Sequence, residues 1–202
     1  MKKNSHIIWD WNGTIVDDTW LFVELMNLVL KKRNLKTINI DDYKKLFCFP
    51  LEKYYKGLGF DFEKEEYEVP SLEFIKLYDK NKYRPFLFNG IVDVLSLVQS
   101  LNSYNYLLSA QHQDSLMKLI NFYKLNSYFT IIKGTDNLHA RGKNVLAQKI
   151  LKKISTAHDD IIFIGDTNMD AKMAIKNNCK IIAITYGHHS SYRFDLNKNI
   201  FL

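Results

Sequence analysis

Short apolar runs alternating with helical stretches constrain this chain more than any other feature. The runs "HIIWDW" (residues 6–11), "YNYLLSA" (104–110), "YFTIIKG" (128–134), "DIIFIGD" (160–166) and "KIIAITY" (180–186) are rich in Ile, Tyr and Phe. Such runs read as strands buried on both faces. Between the later ones lie "GIVDVLSLVQSL" (90–101), "QDSLMKLINFYK" (113–124), "GKNVLAQKILKKI" (142–154) and "NMDAKMAIKNN" (168–178), all helical in pattern. Strands separated by helices pair in parallel and carry helices on both faces. The expected fold is α/β, a three-layer α/β/α core around a parallel sheet.

Residues 17–82 break this alternation and read as helices only: "TWLFVELMNLVLKKRN" (19–34), "IDDYKKLF" (40–47), "PLEKYYKGLG" (50–59) and "SLEFIKLYDKNK" (71–82). A helical insertion directly after the first strand cannot join the sheet. It predicts a small all-helical cap over the strand ends, with residues 1–16 and 83–202 forming the core. Tyr54, Tyr55, Leu58 and Phe60 give the cap an apolar face.

With 202 residues the chain can bury a sizeable core. No apolar run approaches the roughly 18 residues of a membrane span, and the apolar patch near the start ends too early for a secretory signal. Cys48 and Cys179 lie far apart, without a metal or redox spacing, and read as reduced and buried in a cytoplasmic protein. The net charge of +6 comes almost wholly from scattered lysines, because Arg33, Arg84, Arg141 and Arg193 are the only arginines. Few arginines and no basic run argue against a nucleic-acid polymer as partner. A mildly positive field suits an anionic small molecule instead.

Ligands of parallel sheets bind beyond the carboxyl ends of the strands, where strand order reverses. Asp10 ends the first expected strand, Ser109 the second and Asp166 the fourth, with Asp170 just beyond and Lys143 opening a helix. Two carboxylates converging there without an obvious counter-charge would repel each other, and a hard cation such as Mg²⁺ removes that cost through oxygen ligands. Lysine and serine nearby suit a phosphate. Gly13 and Thr14 follow the first strand, where a glycine lets the backbone approach a ligand and expose its N–H groups. Each residue alone has a plainer reading: a turn for Asp-x-x-Gly-Thr, a helix-start carboxylate for Asp170, a surface lysine for Lys143.

Taken together the motifs resemble the haloacid dehalogenase-like superfamily, in its phosphoglycolate-phosphatase-like branch with a helical cap after the first strand. "IIWDWNGTIVD" matches the family's strand–Asp–x–Asp–Gly–Thr motif except at Asn12. "YLLSA" matches the strand ending in Ser or Thr, "GKNVLAQKIL" the motif lysine, and "GDTNMD" the Gly–Asp–Thr–x–x–Asp motif. The resemblance implies a Rossmann-like core and a phosphatase using Mg²⁺. Asp10 is then the nucleophile that forms an aspartyl-phosphate. Asp10, Asp166 and the backbone carbonyl of Asn12 are metal ligands, with Asp170 close by. Lys143, Ser109, Ala110, Gly13 and Thr14 bind the phosphoryl group. The substrate is a small phosphorylated metabolite such as a sugar phosphate, a nucleotide or phosphoglycolate, and the protein is a monomer or homodimer.

Asn12 departs from the pattern. The family's aspartate at this place protonates the leaving oxygen and later activates water, and an amide does neither. That help is worth about 10²- to 10⁴-fold in rate. Three readings stay open: a phosphatase in which another group or a good leaving group covers the loss; a changed reaction, such as phosphoryl transfer or phosphonate cleavage; and a phosphate-ester-binding relative without catalysis. Asp17, Asp18 and His112 are candidate stand-ins, although the two aspartates also suit the start of the first cap helix and His112 suits a helix start on the surface. Lys44, Lys45, Lys53, Tyr54 and Tyr55 mark the cap surface that would meet a substrate. "YGHHSSYRFD" (186–195) borders the pocket through His188, His189 or Arg193, or else is a solvated tail.

Overall fold

The computed structural model describes residues 4–136, 142–154, 160–194 and 200–201. In chain order the elements are β1 (His6–Trp9), β2 (Val16–Asp17), α1 (Thr19–Lys31), α2 (Ile40–Leu46), α3 (Leu51–Gly57), α4 (Glu68–Asn81), β3 (Phe86–Leu87), α5 (Ile91–Ser100), β4 (Tyr104–His112), α6 (Gln113–Phe122), β5 (Ile131–Thr135), α7 (Lys143–Leu151), β6 (Ile161–Gly165), α8 (Asn168–Lys176), β7 (Lys180–Ala183) and β8 (Ile200–Phe201). Six strands form one sheet in the order β5-β4-β1-β6-β7-β8, with every pairing parallel. The fold class is α/β, with helices on both faces of the sheet.

The order fixes where a ligand can sit. The chain runs from β1 to β4 and β5 on one side, then returns to β6 on the other side of β1. Strand order therefore reverses at β1, and the crevice opens beyond the carboxyl ends of β1, β4 and β6. One face of the sheet packs Ile8, Leu108, Phe163 and Ile181 against α7 and α8, and the other packs Ile7, Trp9 and Leu107 against α5 and α6. Adjacent residues of β1 thus serve opposite cores, as the strand period of two requires.

Two expectations need correction. The sheet has a sixth strand, β8, which two residues at a sheet edge are too few to signal. The apolar run at 128–134 begins with a tight turn over Asn126–Tyr128, and its strand starts only at Ile131.

Helices α1 to α4 occupy the stretch between β2 and β3, and these two short strands pair antiparallel with each other, Val16 opposite Leu87 and Asp17 opposite Phe86. The way into the helical segment and the way out are therefore zipped together. The segment has its own core, in which Tyr43, Phe47, Tyr54, Tyr55, Leu58 and Phe60 are buried. Arg33 ties it further through Glu65 and Glu73. Cys179 is buried, whereas Cys48 is only half-buried. Among the described residues no helix is long and apolar enough to cross a membrane.

Candidate active site

Asp10 follows β1 directly, and its backbone N–H continues the sheet by donating to the Ile164 carbonyl at 2.8 Å. Asp166 follows β6, the neighbouring strand, and is fully buried. Asp170 sits in the first turn of α8, where Thr167 caps the helix and donates both its backbone N–H (3.2 Å) and its hydroxyl (2.6 Å) to the Asp170 carboxylate. The plain reading of Asp170 as a helix-start carboxylate is thus correct, yet the same side chain also faces the site. Lys143 opens α7, and its buried ammonium lies 2.7 Å from both Asp10 Oδ1 and Asp170 Oδ1. Lys143, expected at the site for a phosphate, is itself the counter-charge, held between two carboxylates.

Three carboxylates against one lysine leave a surplus of negative charge. Burial pushes Asp10 up to about 7, with Lys143 opposing and Asp170 and Asp166 adding to the rise. Burial likewise raises Asp166 to about 6, against the pull of His188. Lys143 stays charged: burial disfavours its ammonium, but Asp10 and Asp170 outweigh that and move it above its ordinary value.

The turn "WNGT" folds back on itself, with the Trp11 carbonyl accepting from the N–H groups of Thr14, Ile15 and Val16. Gly13 occupies a left-handed conformation, φ +69°, and a Cβ there would lie 2.2 Å from Asp166 and 2.5 Å from the His188 ring. The glycine is needed for close packing against Asp166, but its N–H is not free for a ligand: it donates to Val16 O and to Asp18 Oδ1, both at 3.0 Å. The Thr14 hydroxyl donates to Asp166 at 3.3 Å. Ser109 is fully buried and its oxygen accepts from the Gln111 N–H at 3.1 Å, which leaves its own proton to donate. Ala110 lines the cleft.

The surroundings of Asn12 differ most from expectation. Asp18 precedes α1, but its side chain makes no cap bond there. It turns inward, fully buried, and accepts from the Asn12 amide at 2.5 Å, the Gly13 N–H and the Tyr78 hydroxyl at 3.3 Å. Asn12 also donates to the Tyr78 oxygen at 2.8 Å. A carboxylate at position 12 would face the Asp18 carboxylate directly. Asn12 therefore fits its neighbour, and Asp18 is the residue that makes an amide suitable there. Asp17 stays exposed, and His112 caps α6 by accepting from the Asp114 N–H at 3.4 Å while lining the cleft.

The segment after β7 is no solvated tail. His188 and His189 are buried, and Asp195, which closes the quoted stretch, lies outside the described residues. His188 donates its backbone N–H to Asp166 at 2.5 Å, while its ring stands between Tyr43 (2.7 Å from Nδ1) and Asp18 (3.4 Å from Nε2). Burial opposes its charge, but Asp18, Asp166 and Asp10 outweigh burial and hold the imidazole above its ordinary value. His189 accepts from the Asn168 N–H at 3.1 Å through Nδ1 and so donates through Nε2 to Phe47 O at 3.0 Å. Arg193 also donates to Phe47 O, at 3.1 Å, and Lys44 donates to Tyr186 O at 3.0 Å. Core loop and helical segment are clasped together at the end of α2.

Above the carboxylates opens a cleft of about 630 Å³, with Asp10, Asn12, Lys143 and Asp166 in its floor. Tyr54 and Tyr55 line its roof, but Lys44, Lys45 and Lys53 do not. The lysines of the helical segment that line the cleft are Lys76, Lys80 and Lys82, all from α4 or its end. They were missed because "SLEFIKLYDKNK" read as an ordinary amphipathic helix, whose charged side gave no signal of facing a cavity.

A family model described as haloacid dehalogenase-like hydrolase matches residues 7–184. The chain belongs to this family. It is 25% identical over 134 residues to phosphoglycolate phosphatase 1 of Pseudomonas aeruginosa, and the match takes in 66% of this chain and 48% of that protein. The chain thus spans about half the length of the curated relative it matches. Among solved structures, a haloacid dehalogenase-like family hydrolase from Streptococcus pneumoniae superposes with a TM-score of 0.81 at 20% identity, covering 96% of this chain and 90% of the other. Protein Tyrosine Kinase A of Mycobacterium tuberculosis superposes at 0.80 with 15% identity, covering 100% and 95%. These superpositions concern the fold.

Whether a divalent cation suits this haloacid dehalogenase-like site is answered by its donors. Asp10, Asp166 and Asp170 each offer a carboxylate oxygen, all within 4.8 Å of one another. An all-oxygen set with surplus negative charge matches the preference of a hard cation. The residues present fit one.

Proposed function

We propose that the protein is a Mg²⁺-dependent phosphatase, cytoplasmic and either monomeric or homodimeric, that hydrolyses a small phosphorylated metabolite through an aspartyl-phosphate on Asp10. The observation that carries this reading is Asp10 in the floor of the cleft, 2.7 Å from the buried Lys143 and grouped with Asp166 and Asp170. Phosphoryl transfer asks a protein mainly for positioning and charge stabilisation, and this floor supplies both.

In this reading Asp10, Asp166 and the Asn12 carbonyl hold the cation, with Asp170 steadying Lys143 and standing close by. The cation supplies charge neutralisation at the phosphoryl oxygens and keeps the carboxylates ionised. Lys143 and the Ser109 hydroxyl, with the backbone of the Ala110 segment, orient the phosphoryl group for in-line attack by Asp10, while Gly13 lets the turn pack against Asp166. The exposed Lys76, Lys80 and Lys118 around the mouth favour an anionic substrate. Phosphoglycolate, a sugar phosphate and a nucleotide are all of the chemical class this floor accepts.

A second reading is a phosphate-ester-binding protein without turnover. It is favoured by one observation: the Asn12 amide is fastened to Asp18 and Tyr78 and has no proton to exchange. A screen with Mg²⁺ over these esters separates the two. Hydrolysis by the wild type and its loss in Asp10→Asn supports the phosphatase. Tight binding without turnover, unchanged in Asp10→Asn, supports the binder.

A further inference from the structure

The roof of the cleft and the amide at position 12 constrain the substrate in the same direction. Phe22, Phe49, Tyr54, Tyr55, Phe74 and Ile75 line the space above the nucleophile. About 630 Å³ would hold roughly twenty waters at the ~30 Å³ each takes in the liquid. A phosphoryl group and a two-carbon acid would leave most of that apolar space filled with water. Tyr54 and Tyr55 present ring surface to this space, while the Tyr54 hydroxyl itself is buried away from it.

The chemistry at position 12 adds an independent constraint. An alcohol leaves as a strongly basic alkoxide unless it is protonated, whereas an aromatic hydroxyl ionises near 10, as tyrosine does. The His188 ring holds Tyr43 at Nδ1, 2.7 Å away, and its Nε2 lies 3.4 Å from the Asp18 carboxylate without a hydrogen bond, beside the carboxylate that attracts its proton. Tyr78 is engaged with Asp18 and Asn12. The site suits a leaving group that departs without a proton.

We infer that the substrate is a phosphate monoester of an aromatic hydroxyl, with the ring in the roof. The inference rests on the phosphatase reading and names its substrate class. An Asp10 oxygen attacks phosphorus and the bond to the aryl oxygen breaks, its electron pair leaving on the aryloxide, which takes a proton from solvent. Water then attacks the phosphorus of the aspartyl-phosphate. The Asp10–phosphorus bond breaks with its electron pair returning to the carboxylate, and the water's proton passes to solvent, releasing inorganic phosphate.

Four substrates separate ring from leaving group: 1-naphthyl phosphate, 2-(1-naphthyl)ethyl phosphate, acetyl phosphate and phosphoglycolate. Naphthyl phosphate is expected to exceed its naphthylethyl counterpart by roughly 10²-fold or more in kcat/KM, the size of the missing acid assistance. In calorimetry, 1-naphthylmethylphosphonate should bind roughly ten- to hundred-fold tighter than methylphosphonate, as burial of one ring-sized apolar group implies. Equal affinities, an alkyl ester cleaved as fast as the aryl one, or phosphoglycolate as the best substrate overturns the inference. Acetyl phosphate is small and needs no proton, so its Asp10-dependent hydrolysis reports the phosphatase alone. If it is cleaved and the aryl preference is absent, only the substrate class falls. If it is not cleaved, the phosphatase reading falls and takes the inference with it.

Discussion

The floor and the roof of the cleft are built on opposite principles. The floor is ionic: Asp10, Lys143, Asp166 and Asp170 meet within short range, and all but Asp10 are essentially without exposure. Each is set by a strand end or a helix start, so the sheet itself fixes their geometry. The roof is aromatic, assembled from several helices whose rings pack edge to face, as Phe22 does on Tyr78 at 5.2 Å. In the proposed reading the ionic floor would serve one reaction type for many esters, and the roof would select among them. Between the two lies a seam made of Asn12, Asp18, His188 and His189, and it joins them through side chains rather than through the sheet.

Breaking the floor should have the largest effect. Lys143→Ala leaves two buried carboxylates facing each other, and loss of one partner from a buried pair costs about 3–5 kcal/mol. Thermal melts should show that loss, and Mg²⁺-dependent hydrolysis should fall by roughly 10²-fold or more. A variant as stable and as active as the wild type would mean that the floor is not held by charge.

The seam comes next. Asn12→Asp restores the family's carboxylate but sets it against Asp18, exchanging a charge-assisted hydrogen bond for repulsion, and should cost roughly 2 kcal/mol. Adding Asp18→Asn should recover most of it. Denaturant midpoints for the four proteins of this cycle decide the matter, and strictly additive losses would break the pairing of the two residues.

A smaller effect tests the clasp to the roof. Burial, then the charges of Arg193 and His188, depress His189 to about 4, and its Nδ1 must stay unprotonated to accept from Asn168. A histidine whose folded value lies below its unfolded one near 6.5 contributes stability above that pH and loses it as the pH falls from about 6.5 towards 4. The wild type should lose roughly 2 kcal/mol more than His189→Gln over that window. Parallel pH profiles for the two proteins would remove His189 from the account.

Floor and seam also differ in how far the sequence revealed them. Asp10, Asp166 and Lys143 could be read because strand ends and helix starts leave local signals: an apolar run that stops, a glycine, a capping box. The helical segment between β2 and β3 was readable for the same reason, its pattern being helical where strands were due. Asp18 was open to two readings, stand-in or helix cap, because its position before α1 satisfies the capping rule, while its real partners include Tyr78 and a loop after β7. For His188 and His189 the sequence left a pocket border and a solvated tail both open, since what decides between them is tertiary approach to Asp18, Phe47 and Asn168. The roof was legible only as apolar helix faces; that they enclose a space above Asp10 follows from packing.

The central claim is that Asp10 takes a phosphoryl group. Acid-quenched mass spectrometry of the protein mixed with Mg²⁺ and 1-naphthyl phosphate or acetyl phosphate tests it most directly. The account predicts a transient gain of one phosphoryl group on the peptide carrying Asp10, and none in Asp10→Asn. Turnover with no such adduct at any time, or an adduct that persists in Asp10→Asn, would contradict it.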